Sequence, residues 1–134
     1  MKNFLFILSV FALCVSCQQS LEDRAAKEMA EYTRKNCPTP VVNNENVDSA
    51  TFEPSTRTVH YYYKLHGEID NDAIVAKHRK EMRAALLNDL RSDTKSKAFK
   101  DAGFGFHYTY RSASNPEKIL LDENFTPKDK GSFI

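Results

Sequence analysis

The stretches "RTVHYYYKLHG" (residues 57–67) and "GFGFHYTYR" (residues 103–111) decide the fold. Both are rich in β-branched and aromatic residues, which suit a pleated, half-buried surface. In the first, Val59, Tyr61, Tyr63 and Leu65 alternate with Thr58, His60, Tyr62 and Lys64. In the second, Phe104, Phe106, Tyr108 and Tyr110 alternate with Gly103, Gly105, His107 and Thr109. A period of two predicts strands, each with one strongly aromatic face. Upstream, "EPST" (residues 53–56) reads as a turn because Pro54 presets φ, so residues 47–66 form a β-hairpin. Downstream, "SASNPE" (residues 112–117) turns the chain into the shorter strand "KILLDENF" (residues 118–125), a second hairpin.

Helical spacing fills the rest. Gly67 breaks the strand, and "EIDNDA" (residues 68–73) starts a helix with Asp70 or Asp72 as its cap. From Ala73 to Arg91, the residues Val75, His78, Met82, Leu86 and Leu90 recur at intervals of three and four, which places His78 half-buried at the core edge. Arg83 falls on the opposite, charged side. Ser92 to Ala102 reads as a linker with a short helical turn anchored by Phe99. An earlier helix spans Leu21 to Asn36, capped by Ser20 and striped by Leu21, Ala25, Met29 and Tyr32, until Pro38 and Pro40 stop it. Helix, hairpin, long helix, hairpin predicts a single α+β domain over residues 21–126. Its expected form is a two-layer sandwich of an antiparallel sheet of about four strands, one main helix and an N-terminal helix, with residues 127–134 as a tail.

Residues 1–16 have a different character. A short cationic start at Lys2 precedes an apolar run from Phe4 to Leu13, shorter than the about 20 residues a bilayer core requires. This reads as a signal peptide. Ser16 before Cys17 offers a small residue at the processing point, whereas Leu13 before Cys14 is bulky. The stretch resembles the lipobox of bacterial lipoproteins, with Cys14 where Leu is usual. The segment Gln18 to Asp23 resembles the polar, acidic stretch of Bacteroidetes-type lipoproteins. The lipobox likeness implies a diacylglyceryl thioether on Cys17, a lipidated tether over residues 17–20, and a place in the bacterial cell envelope on the outer membrane. Two acyl chains suffice for stable attachment where one is marginal. The alternative is an ordinary secretory signal cut nearby that leaves Cys17 as a thiol. The order YxY, long helix, GxxxxYxY also resembles small bacterial lipoproteins over residues 20–125, a likeness that implies no activity.

Loss of the leader removes Lys2 alone among charged residues and leaves basic and acidic side chains in equal number. Without a block of like charge there is no electrostatic footprint for nucleic acid. Cys37 is then the single thiol of the mature chain, so no internal disulfide is available, and with no histidine near in sequence it reads as inert. His66 borders a turn and reads as exposed. "DND" (residues 70–72) lacks the glycine and the terminal acidic residue of an EF-hand loop and reads as helix capping. No GxSxG, HExxH, GxGxxG or Walker pattern occurs, nor a CxxC pair downstream of Cys17, so no catalytic residue and no cofactor are indicated.

The candidate surface is the second face of the two strands. If they are neighbours, His60, Tyr62, His107 and Thr109 share one patch, open when the aromatic faces turn to the helices. A solvated strand face explains such a row most simply. A binding surface for an envelope protein or a glycan is next, since tyrosine and histidine stack and hydrogen-bond at low entropy cost. A metal is third, because a zinc site takes three or four protein ligands and no Asp, Glu or Cys is evidently supplied. The sequence favours a membrane-anchored, non-enzymatic binding or assembly module. The alternative is a small hydrolase or metal-dependent enzyme built on His60, His107 or Cys37.

Overall fold

The structure is a computed structural model that describes residues 19–129. The signal-peptide and Cys17 lipidation readings lie outside the described residues. Within them, helix α1 (Leu21–Asn36) is followed by strands β1 (Glu45–Glu53) and β2 (Thr58–Leu65), and a 3-10 turn (Gly67–Ile69) leads into helix α2 (Asp72–Ser92). A short helix α3 (Lys97–Asp101) precedes strands β3 (Gly105–Ser112) and β4 (Ile119–Phe125). The α+β architecture with a four-stranded sheet is as the sequence predicts, in the order β1-β2-β3-β4.

The sheet is mixed, not antiparallel throughout. β1–β2 and β3–β4 are antiparallel hairpins, but β2 and β3 run parallel, with His60 opposite His107 and Tyr61 opposite Tyr108. The reason is the length of α2. At 21 residues it spans about 31 Å, enough to carry the chain back along an eight-residue strand of about 26 Å and restart it at the same end. Gly105 starts the new strand where a Cβ would stand 2.9 Å from Thr58 Oγ1, so any larger residue there must displace the Thr58 side chain.

α1 lies against β1 and α2 against β4. Ala25, Met29, Val75 and Leu90 from these helices join one core with Val59, Leu65, Phe104, Phe106, Tyr108, Tyr110, Leu121 and Phe125. The aromatic faces form a ladder across the parallel seam, with Tyr61 stacked on Tyr108 at 5.6 Å and Tyr63 on Tyr110 at 4.5 Å. Burial raises all four phenols, Tyr61 to about 12, so they stay neutral and serve as packing groups.

Polar groups close the helix ends and the sheet edge. Ser20 caps α1 by accepting from Asp23 N at 3.1 Å, as expected. α2 is capped by Asn71, whose side-chain oxygen accepts from Ala73 N and Ile74 N, and not by Asp70 or Asp72. Asp70 instead accepts from the Ser114 backbone N–H and hydroxyl, and hydrogen bonds from Ser112 and Ser114 hold its carboxyl below the usual range. The C-terminus of α2 is closed by Lys100, buried at 5 % exposure, which donates to the carbonyls of Leu90 and Asp93 at 2.7 Å each and of Arg91 at 3.3 Å. On the outer edge of β1, the Thr33 hydroxyl accepts from Ala50 N at 2.9 Å and donates to Ala50 O at 2.8 Å. Thr39 does the same for Val47 through its hydroxyl and backbone N–H, so α1 and its exit loop occupy an edge that would otherwise present free ladder groups.

Two histidine expectations are corrected. His78 is exposed and pairs with Glu81 at 3.0 Å, because the buried line of α2 runs through Val75 and Leu90 and it is Arg79 and Arg83 that reach the sheet. There, Arg79 and Arg83 both bind the buried carboxylate of Glu123, and the Arg83 guanidinium lies 4.5 Å over the Phe125 ring. His66 is half-buried and hydrogen-bonds Asn46 Oδ1 at 2.7 Å.

Candidate functional site

The face of the sheet opposite the helices carries the predicted row. Because β2 and β3 run parallel and in register, His60 and His107 are direct neighbours, and so are Tyr62 and Thr109. The His60 ring stacks on Tyr62 on one side and on His107 on the other, each at 3.9 Å between centroids. All four residues singled out from sequence therefore meet in one patch.

A fifth residue was missed. β4 sets Asp122 opposite Thr109, and its carboxylate completes the group. Asp122 Oδ1 accepts from the Thr109 hydroxyl and from His107 Nε2, each at 2.6 Å. Thr109 Oγ1, its own proton given to Asp122, accepts from His60 Nε2 at 2.7 Å. Both imidazoles are thus assigned as Nε2–H tautomers. The alternation of "KILLDENF" does put Asp122 and Asn124 on the face opposite Leu121 and Phe125, a signal that becomes informative once the register with β3 is known.

The patch is layered by exposure. Thr109 is buried at 3 % despite facing away from the helices, so its hydroxyl must find its partners within the protein, and it does. The His60 and His107 rings are half-buried, and Asp122 is open to solvent. Burial, with smaller contributions from His107 and Arg111 and against the opposing pull of Asp122, lowers the His60 pKa to about 4. At neutral pH His60 is therefore an uncharged hydrogen-bond donor. The ligand atoms of His60, His107 and Asp122 lie within 4.8 Å of one another, so the third ligand that the sequence did not evidently supply is Asp122.

Four cavities of 260–410 Å³ among the described residues have no histidine in their walls, although the one between α2 and β4 is lined in part by Asp122. One of about 270 Å³ lies over Tyr61, Tyr63 and Tyr108, with Leu86, Asp89 and Leu90 of α2 and Asp93 in its wall. Cys37 has no catalytic setting. Burial and the nearby Asp48 raise its thiol pKa, the reverse of what a nucleophilic thiolate needs. No helix among the described residues is long and apolar enough to cross a membrane.

The family model of a domain of unknown function, DUF8479, matches residues 20–121, from the cap of α1 into β4. The chain belongs to the DUF8479 family. No curated protein matches it significantly. The DUF8479 chain is similar in fold to a crystal structure of a secreted-class protein from Pseudomonas aeruginosa, with TM-score 0.64 and 15% identity over 86% of this chain and 98% of that one. It is similar also to the type 2 secretion system pilotin EpsS from Vibrio vulnificus, with TM-score 0.60 and 16% identity over 78% and 86% of the two chains. The type II secretion pilotin AspS from Vibrio cholerae gives TM-score 0.58 and 16% identity over 78% and 87%. At such identities the likeness is one of fold.

Proposed function

We propose that this DUF8479 chain is a cell-envelope lipoprotein, anchored through Cys17 at the outer membrane, and that it acts as a non-enzymatic binding or assembly module. The observation that carries the binding part is the row of Tyr62, His60 and His107, stacked at 3.9 Å on a sheet face that none of the described helices covers. Rings held by their neighbours lose little entropy on contact, which favours recognition of an envelope protein or a glycan. The lipobox-like segment supports the anchor. Sharing a fold with two pilotins of secretion systems supports an assembly role at the envelope.

Metabolic labelling with a radioactive fatty acid tests the anchor. Wild-type chain should carry label and sediment with membranes, and Cys17→Ala should lose both properties; an unlabelled wild-type chain beginning at Met1 would overturn it. For the surface, a photo-cross-linking residue at position 62 should give a discrete adduct in cells that the same residue at position 78 does not. Identical patterns at the two positions would remove the case for this face.

A further inference from the structure

We propose that His60, His107 and Asp122 form a binding site for a divalent transition-metal ion, with zinc the best fit. The inference deepens the reading of the uncovered face as a binding surface and is independent of the anchor at Cys17. Two imidazoles and one carboxylate are the donor set of three-ligand zinc sites that keep a fourth position open. Calcium and magnesium, which take oxygen ligands in greater number, are poorly served by it.

The geometry supports the assignment on three counts. First, a tetrahedral ion with bonds of about 2.0–2.1 Å sets its ligand atoms about 3.3 Å apart. His107 Nε2 and Asp122 Oδ1 now stand 2.6 Å apart, and the ligand atoms of all three residues lie within 4.8 Å of one another. Closing on an ion requires Asp122, the most exposed of the three, to move outward; and because one ion cannot lie in the planes of two rings stacked within 15° of parallel, His107 must turn out of the stack while Tyr62 holds His60. Second, each ligand stands on a different strand, β2, β3 or β4, so its backbone is fixed by the sheet before any ion arrives. Third, the ligands already have supports of the kind that metal sites use. The buried Thr109 hydroxyl donates to Asp122, and the Tyr62 ring holds His60 from the side away from His107.

Binding requires a change of tautomer. Both imidazoles now carry the proton on Nε2; coordination through Nε2 moves it to Nδ1, so each ring stays neutral and the carboxylate supplies the single negative charge. A fourth position then faces solvent on the side of Asp122. Water takes it in the free protein, and a donor atom from a partner can replace that water.

The test uses the full chain as its host processes it, extracted in mild detergent and stripped with chelator. Zinc is titrated in competition with a chromophoric chelator, and cobalt(II) is added separately to read the visible ligand-field bands of a site with nitrogen and oxygen donors. Equimolar zinc binding is expected, weakened by more than about tenfold in His60→Ala, His107→Ala and Asp122→Asn, and unchanged in the control His78→Ala. Absence of equimolar binding, or equal affinity in all four variants, overturns the proposal. Should a variant fail to fold, histidine-ring NMR on the wild-type chain decides. Zinc must shift the His60 and His107 resonances, and binding that leaves them unmoved overturns the site. Loss of the position-62 cross-link with zinc binding intact would remove the partner surface alone, and the converse would remove the metal alone.

Discussion

Replacement of Lys100 by Met tests how the long helix is held at its end. Methionine follows the lysine stem as far as Cε, so the change removes the ammonium and little packing. In the structure that ammonium, 5 % exposed, donates to three carbonyls at the end of α2 and just beyond it, two of them at 2.7 Å. Net hydrogen bonds to a charged group contribute about 1.5–3 kcal/mol each, and a cation at a helix C-terminus adds up to about 2 kcal/mol in partly buried settings. Against this stands the cost of keeping an ammonium out of water, several kcal/mol, which the methionine no longer bears. The balance is a loss of about 2–4 kcal/mol, because the orphaned carbonyls cannot all reach solvent. For a domain of this size that is a fall in Tm on the order of 10 °C. Urea unfolding followed by far-UV circular dichroism measures it, with Lys97→Met as the reference. Lys97 is exposed and pairs with Asp101 one helical turn on, so its loss should stay within about 0.5 kcal/mol. If Lys100→Met unfolds at the same urea concentration as Lys97→Met, the buried ammonium is not what closes the helix.

Two further outcomes follow from the same geometry. His60 has a folded-state pKa of about 4 against 6.5 for a free imidazole, so the unfolded chain takes up its proton first as pH falls. Its contribution is complete above pH 6.5 and is lost between there and about pH 4, amounting to about 1–2 kcal/mol after allowance for solvent screening of a half-exposed ring. Urea midpoints of chelator-treated protein at pH 7.5 and 4.5 should therefore decline more steeply in wild type than in His60→Gln, and parallel declines would refute it. Thr33→Val leaves Ala50 N and O without the hydroxyl that serves both, at a cost of about 1–3 kcal/mol, whereas Thr33→Ser keeps it; equal midpoints for the two variants would show that the edge contact carries no weight.

Much of this architecture is legible in single-residue alternation. Val59 to Leu65 and Phe104 to Tyr110 each commit one face to the core, so strand identity and the location of the His60–Thr109 row follow without knowledge of the partner strand. Direction does not follow. Both strands are aromatic along their whole length, and such faces match equally well parallel or antiparallel; only the span of α2 selects between them. The site suffered for the same reason. Asp122 joins His107 through the offset of β4 on β3, a quantity set by the turn at residues 113–118 and by an irregularity between Tyr110 and Arg111. His78 misled because a stripe at three-four spacing marks the side of a helix nearest the core without stating how wide the contact is. On α2 the contact is narrow, and buried Glu123 draws Arg79 and Arg83 across it.

The join between β2 and β3 has no tight turn to make it; α2 and α3 lie between its two strands, and closing so long a span costs more chain entropy than closing either hairpin. The molecule is in effect two clips locked along a central zip. His60 belongs to one clip, His107 and Asp122 to the other, so whatever bridges them can be gripped only once the zip has closed. By mass action that occupant would then keep it fastened, at about 2.7 kcal/mol when present at a hundred times its dissociation constant.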